Sequence, residues 1–126
     1  MGVYLGIDIG TSGTKTLAMD ADGRVLAEAC EFYPCSQPRP TWSEQDPEDW
    51  WRATVIAVRQ AMEKAGRPEI SGIGFSGQMH GFVLIGTDRR ALSPAIIWAD
   101  QRSADLLPEI ESIGCSHGTG PPSASR

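Results

Sequence analysis

The sequence predicts an α/β domain in which strands come first and a helix packs on their sheet. Short apolar segments separated by turn residues open the chain, and one strongly marked helix follows before further strand-like segments. With 126 residues, the chain has room for one ordinary domain. A function that needs two large lobes is therefore expected to be incomplete here.

The first third of the chain predicts three antiparallel strands. β-branched and apolar residues fill 3–9, a glycine-bounded turn follows at 10–13, and 15–19 resume the apolar pattern, which indicates a hairpin. An Asp-Gly turn at 20–23 leads to 24–32, which alternate imperfectly, as a third strand would. Three prolines at 34–40 then predict a surface loop, because proline suits neither a ladder nor a helix interior.

A helix is predicted from Asp46 to about residue 65. Asp46 suits the cap, Pro47 suits the first helical position, and two acidic residues follow, so WSEQDP is better explained as the helix entry than as a ligand loop. The residues expected on its inner face are Trp50, Thr54, Ala57, Val58, Ala61 and Ala65. Further on, 70–75, 82–85 and 95–98 predict strands, and 100–111 predict a short helix that Pro108 weakens.

Composition excludes several classes of function. Sixteen acidic residues against eleven basic ones give a net charge of −5, which disfavours nucleic acid and membrane surfaces as partners. No apolar stretch approaches the ~20 residues that a membrane-spanning helix needs, and no secretory leader opens the chain, so we expect a cytoplasmic protein. Cys30, Cys35 and Cys115 lack the spacing of a disulfide framework or a zinc site and are expected to be reduced.

The strongest chemical signal is the segment DIGTSGTK at 8–15. Glycines allow backbone N–H groups to converge on a phosphate, Thr11 and Ser12 add hydroxyls, and Lys15 adds a mobile positive charge. Asp8 could hold water or Mg²⁺ beside those phosphates. The structural alternative is a plain hairpin turn with Asp8 as a local hydrogen-bond acceptor.

Two familiar nucleotide-binding motifs are excluded by their context. A Walker A loop would need glycine where Thr14 stands, and a helix where 17–19 continue a strand. Residues 72–77 spell G-x-G-x-x-G, but they belong to the predicted strand, and no helix follows, as the dinucleotide fingerprint requires.

Two other segments carry polar groups that suit a small ligand, SGQMHG at 76–81 and WADQR at 98–102. In the first, Gln78 offers a donor and an acceptor and His80 a neutral ring, a set that suits a polyol. The simpler alternative makes Met79 core filler and His80 an ordinary surface histidine. In the second, Trp98 with the pair of Asp100 and Arg102 could line a sugar pocket, or Asp100 could merely cap the next helix.

Four segments together resemble the FGGY carbohydrate kinase family of the actin-like ATPase superfamily. They are GIDIGTSGTK at 6–15, WSEQDPEDWW at 42–51, GFSGQMHG at 74–81 and AIIWADQR at 95–102, in matching order and separation. The resemblance extends from about residue 3 to residue 102. It implies the N-terminal lobe of a ribonuclease H-like α/β fold, with a mixed sheet and flanking helices, in incomplete form.

That resemblance implies ATP- and Mg²⁺-dependent phosphorylation of a sugar between two closing lobes. The sequence Q-M-H-G resembles the members that convert D-xylulose to D-xylulose 5-phosphate, so D-xylulose is the expected acceptor and another sugar of the family is the alternative. The residues implied are Asp8 at the phosphates and, through water, the metal; Thr11, Ser12, Gly13 and Lys15 in the phosphate-facing hairpin; Met79 and His80 at the sugar; and Gln78, Asp100 and Arg102 as further pocket candidates.

The chain also departs from the family. Members are several times longer, and the resemblance places their general-base aspartate, adenine site and second lobe in segments that this sequence lacks. We therefore expect the chain by itself to be inactive, because phosphoryl transfer needs charge stabilisation from both sides of the site. A non-catalytic actin-like module that binds a sugar or a protein partner is the other class of function that the sequence allows.

The end of the chain changes character. Residues 115–126 contain no large apolar side chain, so they are expected to stay out of any core. We divide the chain into a kinase lobe at 1–112 and a disordered tail at 113–126, typical of a frameshifted end or of a natural short protein. The sequence indicates no oligomeric state.

Overall fold

The computed structural model of the protein describes residues 2–115. Its elements are β1 (Val3–Ile9), β2 (Gly13–Asp20), β3 (Val25–Phe32), β4 (Glu44–Gln45), α1 (Pro47–Lys64), β5 (Ile70–Gly77), β6 (Ala95–Ile96), a 3₁₀ turn (Ala104–Leu106) and α2 (Leu107–Cys115). The main sheet has the order β3-β2-β1-β5, and β4 pairs with β6 in a small second sheet. Strand β1 is antiparallel to β2 but parallel to β5, so the main sheet is mixed.

Helix α1 connects the two halves of the main sheet and covers one of its faces. The Asp46 carboxylate accepts from the Glu48 N–H, and Pro47 opens the helix, as predicted. Gly66 has a φ of +80°, the left-handed conformation that lets the chain leave a helix. The buried residues of α1 are small, which allows the helix to approach the sheet closely. They are Ala53, Thr54, Ala57 and Ala61.

Alternation along the strands divides the sheet into two different faces. Val3 and Leu5 point to the α1 side and form the core with Ala18 and Ala27. At alternating positions of β1, Tyr4 and Asp8 are exposed on the other face. No helix within residues 2–115 covers that face, which leaves the end of β1 accessible.

The strands predicted at 3–9, 15–19, 24–32 and 70–75 and the helix after Asp46 are confirmed. Strand β2 is three residues longer than expected, β3 is one residue shorter and β5 is two residues longer. The predicted strand at 82–85 is wrong. Phe82 and Ile85 each make a single bridge, to Ile96 and Ala91, because the segment has no neighbouring strand of its own length. The strand at 95–98 shortens to Ala95–Ile96 for the same reason.

The predicted helix at 100–111 begins later than expected. Asp100 uses its carboxylate on Ser43 and Arg102, so it does not cap a helix, and α2 starts only at Leu107. Pro108 consequently lies in the first turn of α2, where its missing N–H costs nothing. Helix α2 extends to Cys115, and the rest of the predicted tail, 116–126, lies outside the described residues.

No helix among residues 2–115 is long and apolar enough to cross a membrane. Cys30 and Cys35 are exposed free thiols.

Two buried threonines on β2 give a prediction about stability. The Thr14 hydroxyl contacts the Thr54 hydroxyl on α1 at 3.3 Å, whereas the buried Thr16 hydroxyl has no hydrogen-bond partner in the described part of the chain. Thr16→Val is expected to raise the free energy of unfolding by about 1 kcal/mol, because it removes an unsatisfied buried group. Thr14→Val should lower that free energy by about 1 kcal/mol. Urea unfolding of both variants tests this, and a Thr16→Val chain less stable than wild type would contradict it.

Candidate functional site

Asp8 lies near the end of β1, on the sheet face that α1 leaves uncovered. In the sheet register it stands opposite Lys15 on β2 and Ser76 on β5. Its carboxylate makes no hydrogen bond or ion pair with any residue between 2 and 115. An exposed carboxylate of this kind, at the end of a central strand, can hold a hydrated divalent cation.

The turn from β1 to β2 is built from glycine and hydroxyl residues and is clamped by Tyr33. The Gly10 N–H donates to the Gly13 carbonyl at 3.0 Å, while Tyr33 donates from its N–H to the Ser12 carbonyl and from its hydroxyl to the Gly10 carbonyl. Burial raises the pKa of the Tyr33 hydroxyl, which therefore remains a donor at neutral pH. The N–H groups of Thr11 and Ser12 have no hydrogen-bond partner within residues 2–115.

Lys15 is the positive charge closest to this turn along the sequence. Its ammonium group lies 3.4 Å from the Glu28 carboxylate on β3, and both side chains are largely exposed. Exposed pairs of this kind contribute less than about 1 kcal/mol. Lys15 can therefore exchange Glu28 for a phosphate group at low cost.

The loop after β5 continues the ladder for one residue and then turns. The Gln78 N–H donates to the Ile9 carbonyl at 2.9 Å. His80 has a φ of +62°, a left-handed conformation that is uncommon for residues other than glycine. This turn leaves Met79 71% exposed, with His80 exposed beside it.

Two cavities border this loop. One, of about 420 Å³, is lined by Asp8, Gly10, Thr11, Gly77, Gln78, Met79, His80 and Trp98. The other, of about 370 Å³, is lined by Ile9, Trp50, residues 76–83 and Ile97. Both volumes fall in the range of small-ligand sites. The first cavity brings Asp8 and the hairpin together with Met79 and His80, although these residues are about 70 positions apart in sequence.

A buried glutamine that no sequence signal marked hydrogen-bonds residues that line these cavities. Gln45, on β4, is 2% exposed. Its Nε2 donates to the Thr11 carbonyl at 2.6 Å, and its Oε1 accepts from Trp50 Nε1 at 3.0 Å and from Gln78 Nε2 at 2.8 Å. Trp98 Nε1 also donates to the Thr11 hydroxyl at 2.9 Å. No local signal marks Gln45, because its partners Thr11 and Gln78 are distant in sequence.

Asp100 and Arg102 lie away from both cavities and bind the segment that precedes α1. The Asp100 carboxylate accepts from the Ser43 N–H at 2.7 Å and from Arg102 Nη2 at 2.7 Å. Arg102 Nη2 also lies 2.8 Å from the Glu44 carboxylate, and its guanidinium carbon is 3.7 Å from the centre of the Trp42 ring. Hydrogen bonding to Arg102, more than any other cause, holds the pKa of the Asp100 carboxyl well below its usual range.

That lowered pKa predicts a specific acid sensitivity. A carboxyl whose pKa is lower in the folded than in the unfolded chain stabilises the fold above about pH 4, and this contribution is lost as the pH falls below 4. The free energy of unfolding of wild type is expected to fall more steeply between pH 5 and 2 than that of Asp100→Asn. Asp105→Asn, at an exposed position on the 3₁₀ turn, is the control and should keep the wild-type slope. Equal slopes for wild type and Asp100→Asn would contradict the prediction.

Comparison with known proteins identifies the family. The sequence profile of the FGGY family of carbohydrate kinases, N-terminal domain, matches residues 3–118. Xylulose kinase of Escherichia coli (strain K12) is 43% identical over 110 residues, which are 87% of this chain and 23% of that protein. A solved kinase from Brucella ovis, described as a xyloylose kinase, has a TM-score of 0.83 at 38% identity and covers 90% of this chain and 24% of its own.

A third relative is named as a gluconate kinase and not as a xylulose kinase. This protein, from Lactobacillus acidophilus, has a TM-score of 0.83 at 27% identity, over 90% of this chain and 23% of that structure. The chain thus spans about a quarter of the length of the relatives that it matches. The solved FGGY kinases share its sheet and helix arrangement, which confirms the expected actin-like, ribonuclease H-like N-terminal lobe in incomplete form. The chain belongs to the FGGY family of carbohydrate kinases.

Proposed function

We propose that this chain supplies part of the substrate-binding lobe of a kinase that transfers the γ-phosphoryl group of ATP to D-xylulose. One observation carries the proposal: Asp8 and the first hairpin residues, Gly10 and Thr11, line the same cavity as Met79 and His80. A phosphate-binding turn and a polar loop that suits a polyol must share one space if a phosphoryl group is to pass between their ligands.

The hairpin is suited to the phosphate side of this reaction. The N–H groups of Thr11 and Ser12 have no partner within residues 2–115, and Lys15 is held only by an exposed ion pair. Converging N–H groups and a mobile ammonium group together form an anion site. Position 13 of this hairpin requires glycine, because β3 approaches so closely that no side chain would fit there.

Asp8 is suited to a hydrated Mg²⁺ at those phosphates. Its carboxylate has no partner within the described residues, and Mg²⁺ in phosphoryl-transfer sites keeps several waters and uses one or two carboxylates. Bound Mg²⁺ neutralises charge that develops on the phosphate oxygens. Asp8 would orient the hydrated ion through the water molecules between them.

The loop at Gln78–His80 and the Trp98 indole would form the sugar side. Met79 and Trp98 offer apolar surface, and His80 offers a ring nitrogen for a hydroxyl group. The similarity to xylulose kinases supports D-xylulose, and the similarity to a gluconate kinase makes another sugar the second candidate. We propose that Asp100 and Arg102 do not contact the sugar themselves but fix the segment that carries Trp98.

A chimeric kinase tests the proposal. In it, the matched residues of this chain replace their counterpart in Escherichia coli xylulose kinase, which supplies the remaining lobe. We expect ATP-dependent phosphorylation of D-xylulose in preference to gluconate and glycerol, and no turnover by the 126-residue chain alone.

Each alternative outcome has a defined meaning. A folded chimeric kinase that binds ATP but phosphorylates none of the three acceptors would reject the kinase proposal for these residues. Preference for gluconate would keep the kinase and change its acceptor. Turnover by the isolated chain would contradict its expected inactivity.

A further inference from the structure

We propose that Gln45 is a positioning residue that sets the spacing between the Gly10–Gly13 hairpin and the Gln78–His80 loop. This inference rests on the proposed function, in which the hairpin serves the phosphates and the loop serves the sugar. Gln45 hydrogen-bonds both, at 2.6 Å to the Thr11 carbonyl and 2.8 Å to Gln78 Nε2. It touches neither ligand's expected place in the first cavity, because it is not among that cavity's lining residues.

The chemistry of its partners fixes the orientation of the Gln45 amide. The Trp50 indole N–H can only donate, so it must face the Gln45 oxygen. The Thr11 carbonyl can only accept, so it must face the Gln45 nitrogen. Rotating the amide by half a turn would oppose donor to donor at Trp50 and acceptor to acceptor at Thr11.

Gln45 in turn fixes the Gln78 side chain. Because the Gln45 oxygen is turned towards it, Gln78 must present its nitrogen. The Gln78 Oε1 then remains buried, with no hydrogen-bond partner among residues 2–115. An unmet buried acceptor costs about 1–3 kcal/mol. The opposite orientation of the Gln78 amide would place two carbonyl oxygens about 2.8 Å apart, and these would repel each other. Leaving the Gln78 oxygen without a hydrogen bond is therefore the less costly arrangement.

Sheet pairing holds the backbone of Gln45 in place. Gln45 pairs with Ala95 in the sheet of β4 and β6, and Ala95 is fully buried. A second connection supports the hairpin, since Trp98 Nε1 donates to the Thr11 hydroxyl. Removing the Gln45 amide would leave Trp98 as the remaining side-chain hydrogen bond between the described residues and Thr11.

Nuclear magnetic resonance of the ¹⁵N-labelled 126-residue chain tests the geometry independently of activity. Gln45→Glu keeps an acceptor for Trp50 but loses the donor to Thr11, so we expect the Trp98 indole resonance to shift and the Trp50 indole resonance to stay near its place. Gln45→Met loses both interactions, so both resonances should shift. Gln60→Glu makes the same chemical change on the exposed side of α1 and should shift neither.

Kinetics of the chimeric kinase test the consequence. Gln45→Met is expected to raise KM for both ATP and D-xylulose about tenfold. Gln45→Glu should raise KM for ATP with less effect on KM for D-xylulose, because the contact with Gln78 remains. A merely structural role would reduce the yield of active enzyme and leave both KM values unchanged, and that result would overturn the inference.

The two proposals fail in different ways. A folded but inactive chimeric kinase would reject the proposed function while the indole resonances still report whether Gln45 holds the hairpin. An active chimeric kinase whose Gln45 variants keep wild-type KM values would reject the positioning role alone. Unshifted indole resonances in Gln45→Met would reject the hydrogen-bond arrangement itself.

Discussion

Asp8→Asn in the chimeric kinase is expected to lower kcat for D-xylulose about a thousandfold or more. The substitution keeps the size of the side chain and removes the one carboxylate that residues 2–115 contribute to the cavity shared by the hairpin and the Gln78–His80 loop. Without that charge, the phosphates lose their ordered metal, and phosphoryl transfer depends almost entirely on such positioning and charge stabilisation.

Sugar binding distinguishes this role from a general loss of structure. Calorimetric affinity for D-xylulose should stay within about twofold of wild type, because Asp8 serves the phosphate side. Asp22→Asn, which removes an equal charge from the exposed turn between β2 and β3, should keep wild-type kcat. Near-normal turnover by Asp8→Asn would refute the assignment, and a parallel loss of sugar affinity would indicate a different role.

Gly13→Ala is expected to destabilise the chain by about 3 kcal/mol. A Cβ at this position would lie 2.5 Å from the Glu31 carbonyl oxygen and 3.1 Å from the Phe32 Cα. Both are backbone atoms of β3, so no side-chain rotation can relieve the contact. Strand β3 would have to move, and the Tyr33 clamp on the hairpin would move with it.

Gly6→Ala is the matched control, since a Cβ at Gly6 meets no atom within 4 Å. This substitution in the middle of β1 should change stability by less than about 0.5 kcal/mol, or stabilise slightly. Chemical unfolding of the two variants, monitored by tryptophan fluorescence, makes the comparison. Equal stability of the two variants would show that β3 tolerates displacement at the hairpin.

Local rules explain much of what the sequence predicted correctly. The glycine-bounded turn after β1 and the Asp46-Pro47 entry to α1 are short-range signals, and both are confirmed. The apolar run at 82–85 satisfied the same strand rule and still failed, because a strand needs a neighbour and this segment has only isolated bridges. Partner availability is a long-range property that no window of sequence contains.

The same limit explains what was missed in the site. Gln45 touches Thr11 and Gln78 across 34 and 33 positions, so nothing local separates it from an ordinary polar residue before a helix. Asp100 was predicted as a possible cap, but besides its neighbour Arg102 it binds Ser43, which is 57 positions away. Residue chemistry suggested the phosphate roles of Asp8 and Lys15, and family resemblance supported them. The sugar roles of Met79 and His80 rest mainly on that resemblance, and all four roles stay predictions until the variants are measured.

The parallel pairing of β1 with β5 also has a consequence for synthesis on the ribosome. Val3 pairs with Ile70, so one edge of β1 waits for a strand that is made about 67 residues later. At a synthesis rate of about 5–20 residues per second, that edge stays unpaired for roughly 3–13 seconds. During this interval β1 and β2 can form their hairpin, but Val3 and Leu5 offer an apolar strand edge to any other nascent chain. Chaperone demand should therefore be greatest before residue 77 leaves the ribosome.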